Sequence, residues 1–254
     1  LDFDNPAVIS ESTIDQSSFQ LDPQLTDSLV SKIPKSTNLK PEVVLITALA
    51  LALYDWRKIE GFCLGLESHG RGEKVPNMDV SRTVGWLTNY YPVRIDVDTS
   101  QSLNNFLISV KHQLSEVPGD GLGYGVLRYI RQSPSLNQTP PIVFNYLGNL
   151  GSIASGRFDG LSMLGHSSRD DGSEREYHLE LNVKITGEVL NCNISYSRAE
   201  YQQLTVNELL DYIEKHLIEI IDLCTTNFQA IYDPKDFPQA NLSKGDLDNL
   251  LDQL

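Results

Sequence analysis

The chain has 254 residues, enough for one large domain or two small ones, and its 40% hydrophobic and 21% charged residues are ordinary for a globular protein. Its formal net charge is -14 and its pI is near 4.7. Such an acidic chain is poorly suited to bind the phosphates of nucleic acid or an anionic membrane surface, so we expect neither partner.

Several features bear on where the chain works. The three cysteines, Cys63, Cys192 and Cys224, lie far apart without metal-ligand spacing, which predicts buried reduced thiols and a cytoplasmic location. Residues 43–53 form the most apolar stretch, which is too short to span a bilayer. The chain starts at Leu1 in a polar passage without a signal-peptide pattern, and this start predicts that it was cut from something larger.

The first predicted elements are a strand at residues 16–21 and a helix at 22–33. Residues 39–58 carry Pro41 in their first turn and apolar side chains on nearly every side, which predicts a helix that is buried all round. Residues 61–67 follow as a short interior strand that ends in a glutamate.

The middle of the chain continues with a strand at residues 90–97, whose Pro92 must lie at the strand start or on a sheet edge. Residues 102–116 have the apolar spacing of an amphipathic helix, and residues 141–148 are predicted as a further strand. Residues 151–173 are rich in Gly, Ser and Asp and predict a long excursion with a weak strand.

The last predicted elements are two strands and a long helix. Residues 176–185 and 189–196 alternate polar and apolar side chains, which predicts two strands joined by a hairpin turn. Residues 205–224 predict a helix that opens with a capping box formed by Thr205 and Glu208. The order of elements predicts an α/β fold, with a mixed β-sheet of five or six strands flanked by helices.

Three common kinds of site are not predicted. Gly121, Gly123 and Gly125 alternate, but they follow a predicted helix and no Lys-Ser or Lys-Thr pair closes the loop, so they do not predict a phosphate-binding loop. The five histidines are each isolated, and we therefore predict no metal site. No Gly-x-Ser-x-Gly sequence occurs, which argues against a hydrolase of that type.

Glu67 is the strongest candidate for proton transfer. A carboxylate at the end of a buried strand can be partly desolvated, which raises its pKa toward the working pH. His69 and Arg71 follow between glycines and can orient the carboxylate or balance its charge. The alternative is structural: Glu67 pairs with Arg71 or Arg82 and holds the loop.

Asn145 and Tyr146 lie inside a predicted apolar strand, where polar side chains need partners. They form either a buried hydrogen-bonded pair or a pair that faces substrate. Trp86 and Tyr124 are predicted to be packing aromatics.

Four stretches of the chain are familiar. They read LESHGRGEK from Leu66, SRTVGWLTNYYPVRID from Ser81, VPGDGLGYGVLRY from Val117 and FNYLGNLG from Phe144. In order and spacing they resemble the C-terminal motifs of epimerization domains of non-ribosomal peptide synthetases, which belong to the condensation-domain superfamily. The resemblance covers residues 18–237 and implies one lobe of a two-lobed, chloramphenicol-acetyltransferase-like fold.

The chain departs from this family at several positions, among them Leu87, where the family usually has phenylalanine. The family's loop reads Glu-Gly-His-Gly-Arg-Glu, whereas Ser68 and Gly72 here replace a glycine and the last glutamate. The family's N-terminal lobe carries a His-His-x-x-x-Asp-Gly motif, whose second histidine faces the glutamate, and this chain has no adjacent histidines. We therefore expect residues 1–230 to be the C-terminal lobe, and 231–254 to be a linker and short helix that lead into the next module.

The resemblance implies that Glu67 is the catalytic base that removes the Cα proton of an aminoacyl or peptidyl thioester. It implies that His69, Arg71, Asn145 and Tyr146 contact the substrate. No directly bound cofactor is expected, because the substrate arrives on the phosphopantetheine arm of a carrier domain.

The expected partners are that carrier domain, the N-terminal lobe and neighbouring synthetase modules, and the chain alone is expected to be weak or inactive. Two alternatives stay open. The chain is a non-catalytic carrier-docking or scaffold remnant, or it is half of a condensation domain that forms peptide bonds.

Overall fold

The computed structural model describes residues 2–3, 9–71, 79–80, 82–149, 172–228, 232, 240 and 242–251. Most of the excursion expected at 151–173 lies outside these residues. Six described strands form one sheet: β1 (Ile14–Leu21), β2 (Gly61–Ser68), β3 (Asn89–Asp96), β4 (Ile142–Asn149), β5 (Leu179–Thr186) and β6 (Val189–Ser197). The described α-helices are α1 (Pro23–Asp27), α2 (Ile33–Thr37), α3 (Pro41–Arg57), α4 (Leu103–Ser115), α5 (Leu122–Gly125), α6 (Gln203–Thr226) and α7 (Lys244–Leu251).

The sheet is mixed, with the strand order β1-β6-β5-β4-β2-β3. β4 runs parallel to both of its neighbours, β2 and β5, and the other neighbouring pairs are antiparallel. β3 lies at an edge, which confirms the placement of Pro92, because an edge strand can lack one backbone N–H donor. Gly187 has φ +65 in the tight turn between β5 and β6, which confirms the predicted hairpin.

Helices α3 and α6 pack against each other and cover one face of the sheet. Ten consecutive or nearly consecutive residues of α3 are buried, as its apolar composition predicted. In α6 the buried residues recur every three or four positions, so this helix buries one side only. Among the described residues no single helix is long and apolar enough to cross a membrane; one bent pair, α1–α2 with α3, passes that test together.

The start of α6 differs from the predicted capping box. The helix begins at Gln203, and its N-cap, Gln202, makes no side-chain capping bond. The backbone N–H groups of Thr205 and Val206 both donate to the Gln202 carbonyl, at 3.1 and 3.2 Å. Thr205 therefore lies inside the first turn and cannot cap it. At α7, by contrast, a side-chain cap is present, since Ser243 Oγ accepts from Asp246 N at 3.2 Å.

Strand pairing separates the side chains of the sheet into two faces. Leu64 pairs with Ile142, and Leu66 pairs with Phe144; these four are buried under the helices. The residues between them point the other way, because successive strand side chains alternate. We call this second surface the polar face; it is defined by Glu67, Tyr90, Asn145, Asn182 and Asn193.

The three cysteines are free, as expected, but only two are buried. Burial raises the pKa of Cys224 to about 12, and burial also holds the pKa of Cys192 well above its usual range. We expect iodoacetamide at pH 8 to leave both unmodified in the folded chain and to label both in urea, because the thiolate is the reactive form. Cys63 is half-buried and serves as the internal comparison. Labelling of Cys192 at the rate of Cys63, measured by peptide mass spectrometry, would contradict this packing.

Candidate functional site

Glu67 lies near the C-terminal end of β2, on the polar face. It pairs directly with Tyr90 of the edge strand β3. On its other side β2 pairs with β4 as far as Leu66 with Phe144, so the next residue, Asn145, lies beside Glu67 on the same face. Glu67 is exposed, which differs from the partly desolvated carboxylate that we expected. The chain thus presents this carboxylate outward.

The loop after Glu67 has one backbone conformation that requires glycine. Gly70 has φ +61, and a Cβ atom at this position would lie 1.7 Å from the backbone oxygen of Leu87. His69 Nδ1 accepts a hydrogen bond from the backbone N–H of Arg71 at 2.9 Å, which closes the loop on itself. The loop therefore packs tightly against residues 83–88 and cannot shift without moving them.

The Arg71 guanidinium donates hydrogen bonds to backbone carbonyl oxygens. Its Nη1 donates to the carbonyl oxygens of Val80 and Thr83, at 3.0 and 2.6 Å, and its Nη2 donates to that of Gly85, at 2.9 Å. The guanidinium thus fastens the chain between β2 and β3 to the Glu67 loop. This geometry gives Arg71 a structural task in addition to any contact with substrate.

Asn145 and Tyr146, although adjacent, lie on opposite faces of the sheet. Asn145 pairs with Asn182 on the polar face, whereas Tyr146 pairs with Val183, which is fully buried under the helices. Burial, together with the nearby charge of Glu42, raises the pKa of Tyr146 to about 12. Of the two residues, Asn145 is the one that the fold places beside Glu67.

The glycine-rich segment before α5 wraps around the edge strand. Gly121 has φ +76, and a Cβ there would lie 2.1 Å from the ring of Tyr91, on the helix-covered face. Asn89 Nδ2 donates to the Asp120 carbonyl oxygen at 3.0 Å. Tyr124 then reaches the polar face, where its ring packs on Tyr90.

Three tyrosines on the polar face were missed by sequence reasoning as a group. The ring centroid of Tyr90 lies 6.1 Å from that of Tyr124 and 6.1 Å from that of Tyr177. Burial first, then its phenol neighbours, raises the pKa of Tyr90 far above its usual range. We call these three residues the tyrosine cluster. No local pattern marks it, because its members come from three distant segments.

Of the two aromatic residues predicted to pack, Trp86 and Tyr124, only one does so. Tyr124 is buried, with 8% of its surface exposed, which confirms its packing role. Trp86 is 88% exposed, so the prediction that it packs was wrong for this chain. The reason is that the carbonyls on either side of Trp86 face Arg71 and Gly70 while its side chain points outward. Within the described ranges, no group of three or more His, Cys, Asp or Glu side chains is arranged to hold a metal ion.

Comparison with known proteins identifies the fold. A family model described as the condensation domain matches residues 4–242. Tyrocidine synthase 2 of Brevibacillus parabrevis is 34% identical over 92% of this chain, and bacitracin synthase 2 of Bacillus licheniformis is 30% identical over 90%. The chain spans only 7% and 9% of the lengths of those two proteins.

Solved structures of the same family have a similar fold. The crystal structure of the epimerization domain from the third module of tyrocidine synthetase B matches with a TM-score of 0.77 and 32% identity. That match covers 88% of this chain and 51% of the other. The first condensation domain of the CDA synthetase matches with a TM-score of 0.56 at 15% identity, covering 90% of this chain and 48% of the other, which is a likeness of fold. The chain belongs to the condensation-domain family of non-ribosomal peptide synthetases.

Proposed function

We propose that the chain is the C-terminal half of an epimerization domain, which interconverts L- and D-aminoacyl or peptidyl thioesters on a carrier domain. The observation that carries this proposal is the likeness to the tyrocidine epimerization domain, at 32% identity, with Glu67 presented on the polar face beside Asn145. Residues 1–230 form this half, and 231–254 form the linker and short helix toward a neighbouring module.

Glu67 acts as the base in this proposal. Its carboxylate takes the proton from Cα, and the electron pair moves to the thioester carbonyl oxygen to form an enolate. The side-chain amide of Asn145, on the neighbouring strand, donates to that oxygen and stabilises the negative charge. Tyr146 supports the strand from the core side. His69 and Arg71 hold the loop, so their effect on substrate is through the position of Glu67.

Inversion needs a second acid–base group on the opposite side of Cα. His69 is two residues from Glu67 and shares its loop, so it approaches from the same side. His178 contacts Glu200 and lies four residues before Asn182, which is about 13 Å along the strand. Neither suits the role, and we assign it to the N-terminal lobe of the domain.

The substrate reaches Glu67 on the phosphopantetheine arm of a carrier domain. Relatives that are whole synthetases contain many times the length of this chain, which fits a domain that works among neighbouring modules. The carrier domain, the N-terminal lobe and those modules are the partners that we propose.

The test is uptake of solvent deuterium at Cα of a carrier-bound aminoacyl thioester. With an N-terminal lobe supplied, we expect uptake by the wild-type chain and a decrease of about 100-fold to 10,000-fold in Glu67→Gln, the usual contribution of a general base. Glu188→Gln, at the exposed β5–β6 turn, is the matched control and should keep the wild-type rate.

Other outcomes would redirect the proposal. A rate within threefold of wild type in Glu67→Gln would remove Glu67 as the base. No uptake even with both lobes present would favour a docking or scaffold role. Formation of a peptide bond between two carrier-bound aminoacyl groups, without uptake, would favour a condensation domain.

A further inference from the structure

Tyr90 lies directly across from the proposed base. Glu67 and Tyr90 form an opposed antiparallel pair, whose Cβ atoms are about 4.5–5.5 Å apart in such pairs. The Tyr90 ring leans over Gly65, because a Cβ atom on Gly65 would lie 2.4 Å from its hydroxyl oxygen and 2.7 Å from its Cε2. The missing side chain at Gly65 therefore lets the ring rest on the backbone of β2, beside Glu67.

The ring is held in place from two sides. Tyr124 packs edge-on against it, with an interplanar angle of 65°, and Tyr177 packs against it at 38°. Arg128 anchors this arrangement, since its Nη1 donates to Tyr124 Oη at 2.8 Å and its Nη2 donates to Thr139 Oγ1 at 3.1 Å. The tyrosine cluster is thus a rigid aromatic wall.

The position of the substrate side chain follows from that of the base. Glu67 must reach the Cα proton, and the side chain is attached to the same carbon, so it must lie next to Glu67. Two neighbours flank Glu67 on the polar face: the amide of Asn145 on β4 and the ring of Tyr90 on β3. The amide suits the thioester oxygen, and the ring suits an apolar group.

We propose that Tyr90, backed by Tyr124 and Tyr177, forms the subsite for the substrate side chain and selects thioesters of aromatic or large apolar amino acids. This inference rests on the proposed function, because it takes Glu67 as the group next to Cα. Acidic side chains are disfavoured, since they would lie close to the Glu67 carboxylate in a chain of net charge -14.

The test measures binding and needs no turnover. The probes are stable amides in which L-phenylalanine or L-alanine is joined to aminopantetheine, and their dissociation constants are measured by calorimetry, with an N-terminal lobe supplied. We expect the phenylalanyl probe to bind about 10-fold to 100-fold more tightly, since an aromatic side chain buries more apolar area and adds a ring contact. Tyr90→Ala should reduce the ratio to about threefold or less, and Tyr90→Phe should retain it.

Two further variants separate the subsite from general stability. Gly65→Ala keeps Tyr90 but pushes its ring away from β2, so it should also lower the ratio. Tyr212→Ala removes a partly buried tyrosine from α6 on the helix side and should leave the ratio unchanged. Circular dichroism and the Tm of each variant report on folding.

The outcomes distinguish this inference from the proposed function. The subsite would be overturned if Tyr90→Ala left the ratio of the two dissociation constants unchanged, even with both probes bound more weakly. It would also be overturned if neither probe bound measurably to the wild-type chain. Because binding requires no proton transfer, the ratio of the two dissociation constants reports on the subsite, and deuterium uptake reports on the reaction. If the wild-type chain prefers the phenylalanyl probe as expected but shows no deuterium uptake, the subsite is supported and the proposed epimerization is contradicted.

Discussion

Replacement of Gly70 by alanine is expected to lower Cα deuterium uptake by at least about 100-fold while the protein stays folded. Two causes add. The residue has φ +61, where an alanine costs about 1–2 kcal/mol, and its Cβ would lie 1.7 Å from the Leu87 backbone oxygen. A backbone atom cannot move aside as a side chain can, so the loop and the Glu67 carboxylate must shift. A shift of about 1 Å in a catalytic group is enough to cost two orders of magnitude.

The matched control for this prediction is Gly187→Ala. Gly187 has nearly the same φ, +65, but no atom lies within 4 Å of its Cβ position, in a turn between β5 and β6. It should lose only the positive-φ cost of about 1–2 kcal/mol in urea unfolding, and it should keep the wild-type exchange rate. Exchange in Gly70→Ala within threefold of wild type would mean that the packing of this loop on Leu87 does not position Glu67.

Replacement of Arg175 by methionine is expected to lower the free energy of unfolding by about 3–5 kcal/mol. Arg175 is 6% exposed, and it precedes β5 and contacts Ser195 of β6. Its guanidinium donates to the Tyr177 carbonyl at 2.8 Å, to the Ser195 carbonyl at 2.7 Å and to Ser195 Oγ at 2.9 Å, and it lies 3.7 Å from Glu180. Methionine fills much of the space but leaves these acceptors without their donor.

Arg94→Met provides the comparison for Arg175. The Arg94 side chain is 71% exposed and pairs with Asp96 at 2.8 Å, so its loss should cost less than about 1 kcal/mol. Both values come from the urea midpoint and slope. A loss below about 1 kcal/mol in Arg175→Met would show that water replaces the guanidinium. Since Tyr177 belongs to the tyrosine cluster, we also expect Arg175→Met to lower the ratio of phenylalanyl to alanyl probe binding.

The order and type of the main elements could be predicted from the sequence because the signals are local. The apolar run that became α3, the alternation that became β5 and β6, and the edge position of Pro92 each depend on a few neighbouring residues. The start of α6 could not, because the choice between Gln203 and Thr205 depends on which carbonyl accepts the first helical bonds.

Motif spacing also predicted Glu67, His69 and Arg71 as site candidates. In the structure they lie at the end of β2 and in the loop that follows it. The exposure of Trp86 could not be predicted from the sequence, and neither could the face of the sheet on which Asn145 lies. A β-strand alternates its side chains, but nothing within one strand tells which face a helix layer will cover.

By itself, then, the sequence determined an α/β chain with a glutamate-bearing loop and the motifs of its family, since periodicity and motif letters are properties of short segments. Only the tertiary structure decided what surrounds Glu67. The pairing of β2 with β3 and β4 places Tyr90 and Asn145 on either side of it, and the bare backbone of Gly65 receives the Tyr90 ring. Strand register is set by long-range packing, and a slip of one residue would turn each of these side chains to the opposite face.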